Sequence, residues 1–544
     1  MPGARRSRVA SRRKGGPTLL SSLLLAVAVV SQPTGYDASL AGHLKRWLEG
    51  EKIPVRTVAP AQMGTQLAQE KVAFLVGLSS PSADEMRALK AFRARGGKLV
   101  VLYSASTALA DLMDVKQNGY AAAPYPGAWS RMDFVSRVPE GLPAAIRQTS
   151  SVLLRAAPKP GKGRVLATWT DRRGRATGEP AWIATGGGYW MTHILSADGD
   201  EDLKAQLVGA LVGSVEPTRW SYAAHRARVE AKARELRSYA ARQVPRQGEI
   251  RAVWDHSGCG LYPGNWPKTI ALLKSAKVTD IFVNVAGAGF AHYPSTVLPR
   301  SKTFEQEGDQ LAACVAAAKG SGIRVHAWLL AFTSSRATPD RVETFRRRGW
   351  LLKKTGGGFS EYLDPANPAV REYLLAAVAE MSSRYAVAGV HLDFVRWGEG
   401  TVRPADAAAH VTRFVADARR RAPRPKWLTA AVYGSYPKCV ASVGQDWTAW
   451  LDAGVVDYVA PMDYTESTLK FTELMVQQAS KASRARRTIV GIGVTANESR
   501  LDARQVIDQI NLTRKFGFAG NALFDLDVTL EKQVLPYLSL GIWK

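Results

Sequence analysis

Apolar runs alternate with amphipathic stretches along most of this 544-residue chain. In the C-terminal part, eight short apolar runs are each followed by enough chain for a helix, which is the pattern of alternating strands and helices. The predicted strands are Ile250–Trp254, Asp280–Ala286, Ile323–Leu330, Gly389–Val395, Trp427–Tyr433, Val456–Met462, Thr488–Val494 and Gly520–Leu526. This repeat predicts a (β/α)8 TIM barrel over residues 249–544.

The same alternation predicts an α/β domain over residues 29–217. Val72–Gly77 is an apolar run typical of a buried strand, Ser82–Arg95 has the spacing of an amphipathic helix, and Lys98–Tyr103 is the next strand. This order predicts a doubly wound, flavodoxin-like sheet. A polar stretch rich in Arg, Ala and Glu over 216–247 predicts a long helix, and residues 218–248 are interpreted as an interdomain linker.

The order of strand, helix, Gly96-Gly97, strand and small-residue turn resembles the class I glutamine amidotransferase-like fold. In catalytic members the turn after this strand carries a cysteine nucleophile, whereas here the turn is Ser104-Ala-Ser-Thr107. A serine without a general base beside it is a poor nucleophile. We therefore predict an amidotransferase-like domain that is not catalytic.

The N-terminus has the features of an export signal. Several arginines precede the apolar run Leu19–Val30, and Ala26-Val-Ala28 has the spacing of a cleavage site. These features predict a signal peptide over residues 1–28 and an exported protein of the periplasm, the cell envelope or the extracellular space. The run is too short to span a bilayer, so no transmembrane anchor is predicted. In the alternative interpretation, Leu24–Ser31 is the first buried strand of the following domain.

The composition narrows the possible partners. A formal net charge of +26 suits an anionic environment such as a cell wall, a membrane surface or an acidic polymer. Nucleic acid is the competing explanation, but no recognition motif is found and the basic residues are scattered through helical segments, so no nucleic-acid partner is predicted. Cys259, Cys314 and Cys439 lie far apart and predict neither a disulfide framework nor a zinc site. No metal and no cofactor are predicted.

The stretch Ala388–Trp397 holds the main candidate for chemistry. By the two-residue period of a strand, His391 and Asp393 share one face, with Val395 and Trp397 continuing the alternation. A charged residue deep in an apolar strand is rarely there for packing. Because catalytic groups of TIM barrels lie at the carboxyl ends of the strands, Asp393 is predicted to be catalytic. The alternative is a buried Asp that is satisfied by Arg396 or by a backbone amide.

Six motifs along residues 250–540 resemble, in the same order, those of the glycosyl-hydrolase-like family 10 of bacterial envelope proteins. They are Arg251–Trp254, His326–Trp328, Tyr362–Tyr373, Gly389–Trp397, Gln445–Trp447 and Val456–Pro461. The resemblance implies a TIM barrel with glycosidase activity, and some members are thought to act on peptidoglycan glycan strands. It also implies roles for the residues that match family positions, which are Asn284, His391, Asp393, Arg396 and Tyr464.

The chain departs from the family at four positions near the predicted site. Residues common in the family are replaced at Ala286, Leu330, Ala388 and Phe394. Many members carry a second acid at the position of Phe394, so the partner of Asp393 is expected on another strand. The fourth strand also resembles that of family 18 chitinases, but Val395 stands at the position of their proton-donating glutamate. A substrate-assisted mechanism of the chitinase kind is therefore not supported.

Glycoside hydrolysis needs a second carboxylate. Met462, Tyr464 and Glu466 share a parity, so Glu466 is expected to lean over the barrel mouth if Tyr464 faces the barrel, while Asp463 points away. The predicted partner of Asp393 is therefore Glu466 first and Asp463 second. The candidates ranked below them are Glu498, Asp525 and Asp255.

Aromatic residues near strand ends complete the predicted site, because their faces stack on sugar rings. The predicted substrate-binding residues are His391, Arg396, Trp397, Trp328, Asn284, Tyr433 and Tyr464. We predict a glycoside hydrolase that acts on a cell-envelope or extracellular polysaccharide, with peptidoglycan favoured. The alternative is a carbohydrate-binding pseudoenzyme that keeps the groove but lacks one acid.

Overall fold

The computed structural model describes residues 26–125, 127–171, 174–197, 199–402 and 404–544. The chain divides into two compact units, Met1–Glu230 and Ala231–Lys544. Within the described ranges, we find no helix with both the length and the apolar character needed to cross a bilayer.

The N-terminal unit is built on a mixed sheet. Its described strands are β1 (Val27–Val30), β2 (Val55–Val58), β3 (Val72–Val76), β4 (Lys98–Leu102), β5 (Val115–Ala122), β6 (Trp129–Phe134), β7 (Ala145–Ser150), β8 (Val152–Pro158), β9 (Gly163–Thr170), β10 (Ala176–Thr185) and β11 (Gly188–Met191). The strand order is β2-β1-β3-β4-β11-β10-β9-β6-β7, and β5 pairs with β8 in a separate ribbon. The sheet is parallel from β2 to β11 and antiparallel from β11 onwards.

Helices cover the parallel part of this sheet. They are α1 (Gly35–Gly50), α2 (Met63–Gln66), α3 (Ala83–Ala94), α4 (Thr107–Leu112) and α5 (Glu201–Gly213). Helix α3 begins where the sequence predicts, because Ser82 and Glu85 form a capping box in which each side chain accepts from the other's backbone N–H. The parallel strands follow the predicted alternation, whereas the antiparallel half extends beyond a doubly wound pattern. The flavodoxin-like and amidotransferase-like assignments stay predictions.

Strand β1 changes the interpretation of the predicted signal peptide. Val27–Val30 pairs with β2 on one side and with β3 on the other, and its four residues are fully buried. Cleavage after Ala28 would therefore remove half of a strand that is paired on both sides. The alternative interpretation as a buried strand agrees with the structure over residues 27–30. The remainder of the predicted signal peptide, residues 1–25, lies outside the described residues.

The turn after β4 holds the serine at the position of the amidotransferase nucleophile. Tyr103 has a positive φ of 66°, and Ser104 directly follows it. The Ser104 side chain is buried, and its hydroxyl donates to the carbonyl of Leu78 at 2.6 Å. This hydrogen bond holds the turn against the end of the neighbouring strand. The absence of catalysis in this unit stays a prediction.

The predicted linker helix is shorter than expected. Helix α6 covers Tyr222–Ala241 rather than the predicted 216–247. Trp220 lies just before it, and its indole N–H donates to Glu51 at 2.6 Å while its ring lies against Gly209. His225 on the first turn also contacts Glu51, at 2.9 Å. These contacts fix the start of α6 to the N-terminal unit.

The second unit is an eight-stranded parallel barrel, as predicted. Its strands are β12 (Ile250–Asp255), β13 (Asp280–Gly287), β15 (Arg324–Leu330), β18 (Gly389–Asp393), β19 (Trp427–Tyr433), β20 (Tyr458–Met462), β21 (Ile489–Gly493) and β24 (Gly520–Phe524). Each strand pairs in parallel with the next, β24 pairs with β12, and β12 pairs with β13, so the sheet closes. Short strands in the connections are β14 (Phe290–Ala291), β16 (Leu351–Lys353), β17 (Phe359–Leu363), β22 (Thr495–Ala496) and β23 (Ser499–Arg500).

Helices lie between successive barrel strands. They are α7 (Trp266–Ser275), α8 (Lys302–Glu307), α9 (Gln310–Ala318), α10 (Pro339–Arg347), α11 (Pro368–Arg384), α12 (Ala407–Arg421), α13 (Lys438–Val443), α14 (Trp447–Asp452), α15 (Thr468–Gln478), α16 (Ala482–Ala485), α17 (Ala503–Lys515) and α18 (Leu535–Leu538), the last preceded by a π-helical turn, Leu530–Val534. Helix α11 begins at Pro368, where the missing N–H needs no partner, and the Asn367 side chain caps it.

Alternate residues of the barrel strands pack into two separate layers. The interior layer contains Ala252, Trp254, Phe282, Trp328, Leu330, Ala460 and Ala522. The layer between strands and helices contains Val253, Val283, Val390, Leu392, Ala430, Val432, Val490 and Ile492. His391 and Asp393 alternate with Val390 and Leu392, so they belong to the interior side of β18.

Candidate active site

A cavity of about 780 Å³ opens at the carboxyl ends of the barrel strands. Residues at the ends of seven of the eight strands line it, and the second strand, β13, contributes none of the lining. Its charged lining residues are Asp393, Arg396, Glu399, Lys438, Asp463, Lys470, Glu498 and Asp525. The predicted position of the site, at this face of the barrel, agrees with the cavity.

Asp393 is the last residue of β18 and lies in the cavity wall. It is 6% exposed, and the backbone N–H of Phe394 donates to its Oδ1 at 2.6 Å. Burial raises the pKa of Asp393, while the positive charge of Arg396 and the Phe394 N–H oppose that rise. Asp393 is thus an acid whose charge is destabilised by burial and supported by a nearby cation.

The alternation predicted beyond Asp393 is wrong. Phe394 has a positive φ of 49°, so the chain turns there and leaves the two-residue period. Val395 consequently packs in the layer outside the barrel. Trp397 packs with Leu352, is buried, and donates its indole N–H to a backbone carbonyl at 3.2 Å. Trp397 does not line the cavity, contrary to its predicted place in the substrate site.

His391 lies in the barrel interior, one strand period before Asp393. The Trp254 indole N–H, which can only donate, gives a hydrogen bond to Nε2 at 3.0 Å, so Nδ1 carries the proton and donates to Thr429 Oγ1 at 2.8 Å. The ring of Phe282 stacks on the imidazole at 4.1 Å between centroids. Burial holds the pKa of His391 well below its usual range. His391 is therefore a neutral, hydrogen-bonded core histidine outside the cavity lining.

Arg396 lies in the cavity wall between two aromatic rings. Its guanidinium carbon is 4.1 Å from the centroid of the Phe394 ring and 4.7 Å from that of Tyr433. Tyr433 also lines the cavity, and its hydroxyl donates to Glu399 at 2.7 Å. The positions of Arg396 and Tyr433 agree with their predicted place at the barrel mouth.

Tyr464 lies among the acids of the cavity. Its ring stacks on Phe524 at 5.4 Å. Burial raises the pKa of Tyr464 far above its usual range, and the nearby carboxylates of Asp393, Asp525 and Glu498 raise it further. The phenol is therefore protonated and available as a hydrogen-bond donor to a carboxylate or a ligand.

Asp525, which the sequence ranked below Glu466 and Asp463, lies in the cavity wall. It directly follows β24, lines the cavity, and its Oδ1 accepts from the backbone N–H of His256 at 3.2 Å. Burial raises the pKa of Asp525 to about 7, and the neighbouring Asp255 contributes to the rise. The signal in the sequence is the one that selected Asp393, an acid at the carboxyl end of a barrel strand.

The two acids ranked first as partners of Asp393 lie in different surroundings. Glu466 is exposed, does not line the cavity, and its Oε1 accepts from the backbone N–H of Arg500 at 2.9 Å. Strand β20 ends at Met462, so the parity assumed for Glu466 does not extend to it. Asp463 does reach the cavity wall, but both of its oxygens accept from Gln478 Nε2, at 2.9 and 3.0 Å.

Burial also raises the pKa of Asp463 and that of Asp255, the candidate ranked last. Burial raises the pKa of Asp463 to about 7, with Gln478 opposing the rise. Asp255 is fully buried outside the cavity lining and accepts from the hydroxyl of Ser257 and the N–H of Gly260. The contacts of both residues stabilise the loops around the barrel mouth.

The two remaining predicted binding residues differ in position. Trp328 lines the cavity wall from the end of β15. Asn284 is fully buried on β13, its side-chain nitrogen and oxygen find no hydrogen-bond partner among the described residues, and it does not line the cavity. Of the predicted set, the structure thus brings together Asp393, Asp463, Trp328, Arg396, Tyr433 and Tyr464 around one cavity.

The donor set of the described residues does not form a metal site, since no group of three or more His, Cys, Asp or Glu side chains is arranged to hold an ion there. The acids of the cavity are spread over separate strand ends. Carboxyl groups placed in this way can transfer protons or stabilise positive charge.

Part of the barrel is similar in sequence to a known protein family. The family described as glycosyl hydrolase-like 10 matches residues 249–400. Glycosyl hydrolase DigH of Escherichia coli K12 is 30% identical over 141 residues, an alignment that covers 22% of this chain and 31% of DigH. The chain therefore matches about a third of the length of this relative. The family match contains β18 and Asp393 but ends before Asp525.

Two solved structures show distant likeness. The α-L-fucosidase isoenzyme 2 from Paenibacillus thiaminolyticus is 10% identical with a TM-score of 0.37, covering 54% of this chain and 48% of that one. Catalytic domain 2 of the Group II chitinase of Ostrinia furnacalis is 12% identical with a TM-score of 0.39, covering 54% of this chain and 95% of that one. The barrel fold rests on the closed strand pairing of this chain itself.

Proposed function

We propose that the protein is a glycoside hydrolase that cleaves a cell-envelope or extracellular polysaccharide, with peptidoglycan glycan strands as the favoured substrate. The observation that carries the proposal is the pair Asp393 and Asp525, which line one cavity in contrasting electrostatic surroundings. Burial raises the pKa of both carboxyl groups, but Arg396 opposes that rise at Asp393, whereas Asp255 adds to it at Asp525. The match of residues 249–400 to a glycosyl hydrolase-like family supports the same reaction class.

The proposed mechanism divides two roles between these carboxyl groups. A pKa of about 7 keeps Asp525 largely protonated in mildly acidic solution, so it acts as the general acid that protonates the leaving glycosidic oxygen. Asp393, as the carboxylate, stabilises the positive charge that develops on the sugar, either as a nucleophile or as the base for a water. The protonated Tyr464 hydroxyl lies near enough to both groups for their charges to raise its pKa.

Aromatic side chains of the same cavity supply the binding surface. Trp328 and Tyr433 line the wall from β15 and β19, which flank β18 and Asp393. Such rings pack against the apolar faces of sugars and hold the chain across the barrel mouth. The proposed subsites therefore lie in the cavity that holds the acids.

We further propose that the protein is exported and meets its substrate outside the cytoplasm. The net charge of +26 favours adsorption to anionic envelope polymers. Because β1 begins at Val27 and is buried, the proposed processing site lies before Val27 rather than after Ala28. N-terminal sequencing of the protein from the envelope or medium tests this point.

The proposed activity is tested by following reducing-end release from purified peptidoglycan and from a panel of other polysaccharides, with binding to each measured in parallel. The wild-type protein is expected to release reducing ends from at least one of them. Asp393→Asn is expected to bind that polysaccharide and release none. Folding of the variant is checked by its circular dichroism spectrum and its unfolding temperature.

The same experiment separates the hydrolase from the carbohydrate-binding pseudoenzyme. Binding by the wild-type protein without turnover of any polysaccharide would favour the pseudoenzyme. Full activity in Asp393→Asn would contradict the assignment of this carboxylate.

A further inference from the structure

Arg396 is a buried cation whose hydrogen-bonding capacity is only partly used. The residue is 6% exposed, and its Nε and Nη1 atoms have no hydrogen-bond partner among the described residues. The structure shows no ion pair between Arg396 and a carboxylate within the part of the chain it describes. Its guanidinium lies over the faces of Phe394 and Tyr433, at 4.1 and 4.7 Å, and beside the Tyr362 hydroxyl.

Burying an arginine in this way, without a carboxylate partner, lowers the stability of the folded protein. A buried charge is normally paired, and an incompletely paired one leaves part of its desolvation cost without compensation. Ring faces attract a guanidinium but accept none of its N–H groups in the plane. The two rings also hold the guanidinium plane in one orientation. This places a fixed, planar donor group in the wall of the cavity.

Two other cations line the cavity with Arg396, beside its five acids. Lys438 and Lys470 also line the cavity, are exposed, and take part in no ion pair among the described residues. Glu399 lines it too, but its Oε1 already accepts from the Tyr433 hydroxyl. Asp393 acts on Arg396 through its charge and lies beyond ion-pair distance. Three cations thus face the cavity beside the proposed catalytic acids.

We infer that Arg396 binds a carboxylate carried by a sugar of the substrate, so that the cavity selects acidic glycans. The planar guanidinium fork matches a carboxylate with two parallel N–H···O bonds, which an ammonium group does not reproduce. Arg396 is then a specificity-determining residue, and Lys438 and Lys470 add long-range attraction. This inference rests on the proposed glycoside hydrolase. The carboxylate belongs either to a uronic acid or to a lactyl ether on an amino sugar.

The test measures binding in the Asp393→Asn background, in which no substrate is consumed. The probes are an oligouronate, a cell-wall glycan oligomer with a free lactyl carboxylate, and the carboxyl-reduced form of each. We expect at least one acidic probe to bind about 10-fold tighter than its reduced form, which corresponds to about 1.4 kcal/mol. The probe that shows this preference identifies the source of the carboxylate.

Two substitutions of Arg396 and one control assign the preference. Arg396→Gln is expected to abolish the preference for the acidic probe, and Arg396→Lys to retain only part of it, because the charge remains without the planar fork. Arg486→Gln, at the exposed end of α16 outside the cavity lining, removes the same charge and is expected to leave the preference unchanged. Circular dichroism checks that each variant is folded. If Arg396→Gln does not fold, Arg396→Lys alone still tests the inference.

The inference is overturned if neither acidic probe is preferred over its reduced form, or if the preference survives in the Arg396 variants. Its failure can be distinguished from that of the proposed activity. Hydrolysis of neutral and acidic glycans at equal rates by the wild-type protein would contradict the inference and leave the hydrolase intact. Carboxylate-dependent binding through Arg396 without turnover of any glycan would support the inference and contradict the hydrolase.

Discussion

Asp393 and Asp525 reach the cavity by the same local rule, since each carboxyl group stands where a parallel barrel strand ends. Their surroundings then separate them. Burial raises the pKa of both, but the charge of Arg396 opposes the rise at Asp393, whereas Asp255 adds to it at Asp525. Two carboxyl groups of the same kind can therefore take different roles in one reaction.

The raised pKa of Asp525 predicts a dependence of stability on pH. In the unfolded chain this carboxyl group ionises near pH 4. In the folded protein it ionises near pH 7. The folded state therefore holds an extra proton between these values, and the free energy of unfolding falls as pH rises through this window. Above pH 7 the buried charge costs up to about 4 kcal/mol, at about 1.4 kcal/mol per unit of pKa shift.

Asp525→Asn removes that charge, so we expect the variant to unfold at a higher temperature than the wild-type protein at pH 8 and at a similar temperature at pH 4. Thermal unfolding followed by circular dichroism at both pH values measures the difference. Asp463, whose pKa is also about 7, is unchanged in the variant, so part of the pH dependence remains. An equal unfolding temperature of variant and wild-type protein at pH 8 would contradict the proposed burial of charge at Asp525.

At the residue scale, the sequence could place Asp393 but not the partner acid. Parity holds only while the backbone remains extended. Strand β20 ends at Met462, four residues before Glu466, and the positive φ of Phe394 removes Val395 and Trp397 from the face of Asp393. Asp525 needs no such extrapolation because it directly follows β24. Its rank was low because burial and the proximity of Asp255 are properties of the folded chain.

At the scale of elements, the hydrophobic pattern predicted the barrel closely. All eight barrel strands lie where their apolar runs predict them, and most differences in their bounds are of one or two residues. These strands are buried on both faces, so they are continuous apolar runs with clear ends. The antiparallel half of the N-terminal sheet was harder to assign because its pairing depends on turns and on register rather than on a repeated unit.

Strand β1 gives a test at this scale. Val27–Val30 pairs with both β2 and β3, so removal of Val27 and Ala28 would break the pairing of β2 with the rest of the N-terminal sheet. We expect a chain that starts at Val29 to unfold at a lower denaturant concentration than one that starts at Ala26. Equilibrium unfolding in urea, with near-ultraviolet circular dichroism as the probe, compares the two. Identical midpoints would show that the N-terminal half of β1 contributes little to stability.

At the scale of the whole molecule, the excess of basic residues acts separately from the acids in the barrel cavity. A formal charge of +26 is a property of the surface field rather than of one site, so it acts on any anionic polymer near the protein. Exposed charges are screened over about 8 Å at physiological ionic strength. On the proposed function, the charge favours adsorption to an anionic polymer, while the cavity selects the glycan.

Adsorption and recognition at the cavity are expected to respond differently to salt. We expect cosedimentation with purified cell walls to fall several-fold when NaCl is raised from about 0.05 to about 0.5 M, because the Debye length shortens from more than 10 Å to less than 8 Å. Binding of a neutral oligosaccharide by Asp393→Asn, measured by calorimetry over the same range, serves as the reference and is expected to change little. Cosedimentation that is insensitive to salt would contradict the electrostatic origin of adsorption.

The most direct test of the central claim compares reducing-end release by the wild-type protein, Asp393→Asn, Asp525→Asn and Glu466→Gln on the polysaccharide that the wild-type protein cleaves. Removing a general acid or its partner carboxylate typically costs about 10²- to 10⁴-fold in rate. We expect losses of this size for Asp393→Asn and Asp525→Asn, and near wild-type activity for Glu466→Gln, whose side chain lies outside the cavity lining. Full activity in Asp525→Asn, or a comparable loss in Glu466→Gln, would contradict the assignment of Asp393 and Asp525 as the catalytic pair.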